Sequence, residues 1–581
     1  MTFLNKYVKR YGFIFLTAIL FLSIEALCDL MQPTIMARIV DVGIKNRDNR
    51  YIVSQSIMML GIAFTGAVCA CLRSIIASSV SQRVGTELRF DLFKKILEIS
   101  LKSRDKFEEA SLMTRLTNDI TQVQNFINGL MRIFIRAPLL CIGSIVMAVY
   151  ISPKMAVVLL VIVPLIILFI LLSLRLVYPS FLKIQEALDK VNTVLREYLS
   201  GIRVVKAFDR FDYETQRFEK ENHHLGQINM KTSKMMAAFS PFIQLIVNGG
   251  IVTILWLGGF AIKDGSIKVG EVMAFISYMT QILFSLSMMS HVFMSFVRAK
   301  ASAERIGEVF KEEDEKTFYG LTEESDVAFT KSLNQGAVVF EEVSFAYHPT
   351  QPEPVLDHIS FRCQPGETIG IIGSTGAGKS TLVNLLTGFY YPTAGRIRVD
   401  GVDIKTISSS LLRKSIAVIP QKVMLFTGSI KDNIKWGEEE ADLAAVEDAA
   451  KLAQAHGFIE QFPEQYDTLL GQGGVNLSGG QKQRISIARA LIKKPKILIL
   501  DDCTSAIDLI TEEKIRGGLK NYMGNLTSLI VAQRIISVME ADQIIVLDKG
   551  KIAGIGRHSE LLKNCQIYQD IFISQLGKEA M

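Results

Sequence analysis

The sequence predicts a two-part chain: an all-α transmembrane domain of six helices, followed by a soluble α/β domain. Three observations predict it. Six apolar segments in the first 300 residues are each long enough to cross a bilayer, which takes about 20 residues of helix. The long apolar runs stop there, and residues 320–581 read as soluble α/β sequence. Within that second part, the apolar run Thr368-Ile369-Gly370-Ile371-Ile372 leads through Gly373-Ser374-Thr375-Gly376-Ala377-Gly378-Lys379-Ser380-Thr381 into a helical run, Leu382 to Leu386. Strand, glycine-rich loop and helix, in that order, are the context in which G-x-x-x-x-G-K-[ST] counts as a P-loop.

At 581 residues the chain is too long for one hydrophobic core. The expected division is a transmembrane domain over 1–315, a linker over 316–335 and a nucleotide-binding domain over 336–581. The linker signal is the acidic, polar, aliphatic-poor stretch 307–335, which contains Lys311-Glu312-Glu313-Asp314-Glu315-Lys316. A net charge of +6 needs no nucleic-acid partner, because excess Lys and Arg belongs on loops facing the cytoplasm. The seven cysteines (Cys28, Cys69, Cys71, Cys141, Cys363, Cys503, Cys565) lack zinc-ligand spacing with histidine and read as reduced thiols. Met1 to Arg10 is basic and enters an apolar stretch without a small-residue cleavage site, so it opens a first membrane helix.

The expected spans are 12–33, 54–80, 128–151, 155–178, 236–262 and 271–298. Gaps of about 45 polar residues follow the second and fourth spans, while the other connections are brief. The long gaps carry Arg83, Arg89, Lys94, Lys95, Lys102, Arg104, Lys106 and Arg115, then Lys183, Lys190, Arg196, Arg203, Lys206 and Arg210. By the positive-inside rule they face the cytoplasm, as do both termini and the ATPase domain of this multi-pass plasma-membrane protein. Lys45, Arg47 and Arg50 in the first outer loop run against the rule, offset in part by Asp41 and Asp48. Phe90, Phe93, Ile96 and Leu97 keep helical spacing, so the membrane helices continue into the cytoplasm. The turning points, near Ser111–Arg115 and Gly201–Phe208, are expected docking elements for the ATPase domain.

Inside the first span, Glu25 and Asp29 fall on one helix face. Ionisable groups in lipid face a cavity or a partner, which leaves a substrate-contacting and a structural reading open. Met279, Met288, Met289 and Met294 give the sixth span a polarisable surface, suited either to promiscuous apolar ligands or to packing.

In the second part, the P-loop glycines would turn backbone N–H groups toward phosphate oxygens at the positive end of a helix. Lys379 would neutralise the β- and γ-phosphates of ATP, and Ser380 would offer its hydroxyl to Mg²⁺. Tyr347, after the strand Val343–Phe345, could stack on adenine or simply pack at the strand end. The strand Ile416–Ile419 leads to Gln421, and Ile497–Leu500 closes on Asp501. Asp501 therefore stands at the carboxyl edge of a parallel sheet, where it can hold Mg²⁺.

Together with Leu477-Ser478-Gly479-Gly480-Gln481 and Ser505-Ala506-Ile507-Asp508, this ordered set resembles the nucleotide-binding domain of an ATP-binding cassette (ABC) transporter. The six spans and C-terminal cassette resemble a half-transporter of the exporter kind, over essentially the whole chain. The resemblance implies a dimer with two ATPs, each between the P-loop of one cassette and the signature (Ser478, Gly479, Gly480, Gln481) of the other. It places Gln421 with Ser380 and Asp501 at the metal. Two positions depart from the family. Where it has a glutamate polarising water, this chain has Asp502; where it has a histidine at the γ-phosphate, this chain has Gln533. Gln472 stands where exporters often carry a glutamate, which weakens an expected contact to the membrane domains. A carboxylate drawn back by about 1.5 Å and an amide that cannot protonate imply a degenerate site that binds MgATP and hydrolyses it weakly.

The expected protein is thus one half of a heterodimeric exporter of drugs or other amphipathic small molecules across the lipid bilayer. Its signature would complete the competent site of a second half-transporter, a homodimer being the weaker expectation. A lipid flippase, a peptide exporter and an ATP-gated channel or regulatory subunit share the same features.

Overall fold

The structure, a computed structural model, describes residues 2–314, 335–348, 353–503, 507–522 and 526–577. Of the expected features, the linker (apart from Gln335), the pair Ser505-Ala506 and the side chain of Met294 lie outside the described residues. The chain divides into two compact units: Met1–Lys95 with Glu109–Lys311, and Ile96–Glu108 with Glu312–Met581.

The first unit is all helix. Its elements are α1 (Asn5–Arg38), α2 (Asn49–Glu98), α3 (Glu109–Ile151), α4 (Pro153–Ala207), α5 (Phe211–Lys263) and α6 (Val269–Lys311). Among the described residues, six helices are long and apolar enough to cross a membrane. Several run well past their apolar stretch: α4 and α5 have 55 and 53 residues, about 80 Å each at 1.5 Å per residue. Prolines sit inside α1 (Pro33), α4 (Pro164, Pro179) and α5 (Pro241). In apolar surroundings the backbone groups they free need local partners.

Polar side chains tie these helices together. Glu25 on α1 is 4% exposed and accepts from Arg73 Nε on α2 at 2.7 Å. Arg136 on α3 lies 3.3 Å from Glu25 and 2.8 Å from Asp29. Two acids and two guanidinium groups thus form one neutral cluster across three helices, which favours the structural reading of Glu25 and Asp29. Tyr278 on α6, fully buried, donates to the Leu30 carbonyl at 2.8 Å and meets the Thr34 hydroxyl. Near the other end of α6, Asp119 is buried and holds both Ser302 and Arg305. Met279 is 1% exposed within the helix core, Met288 is half-buried and Met289 is exposed, so these three described methionines of the sixth span do not share one environment.

The second unit is built on strands β1 (Val338–Phe345), β2 (Leu356–Cys363), β3 (Thr368–Gly373), β4 (Ala394–Val399), β5 (Val402–Asp403), β6 (Ile416–Ile419), β7 (Gly428–Ser429), β8 (Leu469–Leu470), β9 (Ile497–Asp501), β10 (Thr527–Val531), β11 (Gln543–Asp548) and β12 (Lys551–Gly556). The main sheet has the order β12-β11-β3-β10-β9-β6, parallel except for β12. Its inner strands are aliphatic on both faces because both faces are covered. An antiparallel sheet, β2-β1-β4-β5, shares a core with it. There Phe340 and Phe361 stack at 4.5 Å, and truncating either would cost about 3–5 kcal/mol. Three helices carry residues of the nucleotide site or its surroundings: α7 (Lys379–Leu386), α8 (Gly479–Ile492) and α9 (Leu509–Tyr522).

The segment Ile96–Glu108 belongs to this second unit. It holds a short helix, Leu101–Arg104, capped by Ser100. Ile99 bridges Asp314, Lys106 pairs with Glu312 at 2.8 Å, and Asp105 accepts from the Tyr390 hydroxyl. Ser111–Arg115, an expected docking element, open α3 and lie in the first unit. Gly201–Ala207 are the last turns of α4.

Candidate nucleotide site

Strand order assembles the site. β3, β10, β9 and β6 are consecutive and parallel, so their carboxyl ends reach one edge of the sheet. Val531 is opposite both Ile371 and Asp501, and Ile419 is opposite Leu500. The P-loop, Asp501 with Asp502, Gln533 and Gln421 each follow one of these ends within two residues.

The loop takes its shape from its glycines. Gly378 has φ 97°, a left-handed conformation at the start of α7. A Cβ there would also stand 2.6 Å from Leu356 Cδ2. At Gly373 a Cβ would drive into the Leu547 carbonyl oxygen of the neighbouring strand. Ser374, Thr375 and Gly376 are exposed, Ala377 and Gly378 are buried, and Ser380 faces solvent at the first turn of α7. Lys379 curls over the loop, donating to the carbonyls of Gly373 (2.8 Å) and Ser374 (2.9 Å). Burial pulls its ammonium below the ordinary lysine value, against the opposing pull of Asp502 and Asp501.

Asp501 has the opposite shift. Burial and then the charge of Asp502 push its carboxyl above the usual range, and Lys379 only partly offsets them. Adjacent carboxylates facing one ammonium, with an exposed hydroxyl at Ser380, are a donor set that a divalent cation fits.

One oxygen gathers the two departures. Asp502 Oδ2 accepts from Gln421 Nε2 at 2.8 Å and from Gln533 Nε2 at 2.7 Å. Both lone pairs of that oxygen are thereby engaged. The backbone N–H of Asp502 is bonded to the Val531 carbonyl at 2.8 Å, and its φ of 47° turns the chain away from the sheet.

Tyr347 lies beyond β1, its hydroxyl 3.2 Å from Thr381 Oγ1. Its ring meets Phe345 and Tyr390 edge-on, at 4.9 and 5.2 Å. Beside it is a cleft of about 270 Å³ that Lys102, Tyr390, Tyr391 and Lys405 also line. Sequence reasoning missed these four; Lys102 comes from over 200 residues away, and no local pattern marks such a contact.

The signature residues are not gathered with this cluster. Ser478 caps α8 in a reciprocal bond with Gln481: Ser478 N–H donates to Gln481 Oε1 (2.9 Å) and Gln481 N–H to Ser478 Oγ (3.3 Å). Ser478 and Gly479 are exposed, and the Ser478 O–H keeps its proton to donate. Gln472 is exposed in a short turn. Asp508 caps α9 through Thr511 N–H at 2.9 Å, and that bond holds its carboxyl below the usual range.

Comparison with known proteins finds similarity over essentially the whole chain. The family model of the ABC transporter transmembrane region matches residues 15–286, and that of the ABC transporter matches 356–505. The chain is 43% identical over 574 residues to the uncharacterized ABC transporter ATP-binding protein YfiB of Bacillus subtilis (strain 168), covering 99% of this chain and 98% of that one. It is 32% identical over 544 residues to an ATP-dependent lipid A-core flippase of Desulfotalea psychrophila, covering 94% of each. A solved bacterial Atm1-family ABC exporter with ATP bound superposes with a TM-score of 0.79 at 25% identity, over 100% of this chain and 99% of that one.

Proposed function

The chain belongs to the ABC transporter family, as an exporter coupling ATP hydrolysis to transport across the membrane it spans, and from this premise we propose that it is the nucleotide-retaining half of a heterodimer. The observation that carries the reading is the double amide grip on Asp502 Oδ2. A catalytic carboxylate must hold a water in line with the γ-phosphate. Here the acid is one methylene short, and one of its oxygens already serves Gln421 and Gln533. Gln533 cannot turn cationic as an imidazole would.

The rest of the pocket supports nucleotide binding. Lys379 and the P-loop N–H groups would hold the phosphates, Tyr347 would pack against adenine, and Ser380, Asp501 and Gln421 would hold Mg²⁺, which would supply charge neutralisation at the phosphates. The signature, Ser478 to Gln481, completes the partner's competent site, where hydrolysis resets the transporter; Ser478 and Gly479 are exposed for that contact. The ATPase domain and both termini face the cytoplasm of a plasma-membrane protein, in keeping with the basic cytoplasmic extensions. The cargo is a drug or other amphipathic small molecule. Lipid flipping is the second reading, favoured by the full-length relative that is a lipid A-core flippase.

The test is to purify the tagged full chain from its native membrane. The expected result is a co-purified second half-transporter with Glu and His at the positions matching Asp502 and Gln533. The chain alone should hydrolyse ATP at no more than about a hundredth of the pair's rate. Brisk hydrolysis and pumping by the chain paired only with itself would overturn the proposal.

A further inference from the structure

The loop after β10 carries Gln533 and then enters a short turn, Ile535–Ser537. Both ends of that loop are tied. The C-terminal helix α10 (Gln566–Leu576) is anchored by Tyr568 and Phe572, buried in a small core with Ile535, Val538 and Ala541. From its last turn, Gln575 uses both ends of one amide on the loop. Its Oε1 accepts the Ile535 N–H at 2.8 Å, and its Nε2 donates to the Gln533 carbonyl at 2.7 Å. Farther on, Ser537 donates to Glu512 Oε1 on α9 at 3.0 Å, and Arg516 binds the same oxygen at 2.9 Å.

Gln575 is exposed, so it contributes little packing. Fixing a long side chain in one rotamer costs entropy, and here that cost is met by two bonds that flank Arg534. The restrained backbone is that of Gln533, whose amide reaches Asp502 at 2.7 Å.

We propose that Gln575 is a positioning residue for the nucleotide site: it fixes where the Gln533 amide stands, and so sets the preference of the pocket for ATP over ADP. The proposal rests on the nucleotide site of the proposed function, with Gln533 at the γ-phosphate where the family resemblance puts a histidine. ADP lacks that phosphate, so loosening the loop changes the grip on ATP and leaves ADP untouched. A residue that merely stabilised the fold would weaken both nucleotides alike.

The experiment uses the full chain in lipid nanodiscs and measures equilibrium binding of MgATPγS, a slowly hydrolysed analogue, against MgADP. Gln575→Met keeps the bulk of the side chain and removes both bonds. Two lost hydrogen bonds predict about a tenfold fall in the ATPγS-to-ADP preference, with ADP affinity held within about twofold. In a Gln533→Ala background the same substitution should add no further loss, because the group it positions is gone. Gln575→Glu retains the acceptor for Ile535 N–H and sets a carboxylate against the Gln533 carbonyl, so it should lose preference as well. An unchanged ratio in Gln575→Met, a parallel loss of ADP, or additive losses in the double variant would each overturn the proposal. Fast turnover by the chain alone would sink the heterodimer reading and leave this ratio standing, so the two failures are distinguishable.

Discussion

Lengthening the short acid should bring this pocket back toward hydrolysis. In Asp502→Glu the backbone is held by its N–H bond to the Val531 carbonyl, so the added methylene moves the carboxylate and not the chain. The oxygen advances by about one bond, 1.5 Å, beyond its position between Gln421 and Gln533. A misplacement of about 1 Å can cost a hundredfold in rate, which corresponds to about 2.7 kcal/mol of barrier. Pairing it with Gln533→His removes one amide donor from the acid and supplies an imidazole at the γ-phosphate. The expected gain for the double variant is therefore up to about a hundredfold in phosphate release, with Asp502→Glu alone giving part of it. Glutamate tolerates a φ of 47° less well than aspartate, so a stability cost of about 1 kcal/mol accompanies the gain. The assay is phosphate release by the full chain in nanodiscs, alone or beside a partner whose own site has been inactivated. A double variant that binds MgATP as tightly as the parent yet releases phosphate no faster would refute the geometric argument.

Tyr347→Ala should weaken ATP binding by about 1–3 kcal/mol through lost base stacking, while Tyr347→Phe, which loses only the bond to Thr381, should bind nearly as the parent does; equal affinities for Ala and Phe in a nucleotide titration would contradict this. Arg73→Ala removes the nearer of Glu25's two partners and leaves Arg136 alone against two acids, which should destabilise the membrane domain by up to about 3–5 kcal/mol, read as a fall in melting temperature in detergent; the paired change Arg73→Leu with Glu25→Leu should recover much of it. For Asp501 the folded state holds the proton more tightly than the unfolded chain. Stability without nucleotide therefore falls as pH rises from the ordinary carboxylate value up to the raised one, and stays lower above it. Asp501→Asn should accordingly melt higher than the parent at neutral pH without nucleotide, converge with it in acid, and lose the Mg²⁺-dependent gain on adding ATP. A lower melting temperature for the variant at neutral pH would reverse the sign and refute the assignment.

What was legible in the sequence was local or periodic. The P-loop could be read because strand, glycines and helix are contiguous, and the six membrane helices because apolar length is written along the chain. Asp502 and Gln533 were legible as departures, but not as partners. Their meeting depends on β10 lying beside β9, and Gln421 joins them only because β6 flanks β9 on the other side. Gln575 bears no mark of its role, since a glutamine near the end of an amphipathic helix is ordinary until the fold brings Ile535 beneath it. Arg73 and Arg136 did carry a signal. Each interrupts an apolar span, and two acids on α1 required cations somewhere among the other helices. That Ile96–Glu108 belongs to the second unit was not legible, because Leu101–Arg104 is too short to stand out from the helical patterns around it.

The neutral quartet of Glu25, Asp29, Arg73 and Arg136 also limits how the membrane half can move. Drawing α1 from α2 would leave the buried Glu25 and Arg73 apart, at several kcal/mol for each ion. Those two helices are therefore expected to move through a transport cycle as a single body, with α3 held to them through Arg136. The sliding that opens a path for cargo has to happen along seams that no such stitch crosses.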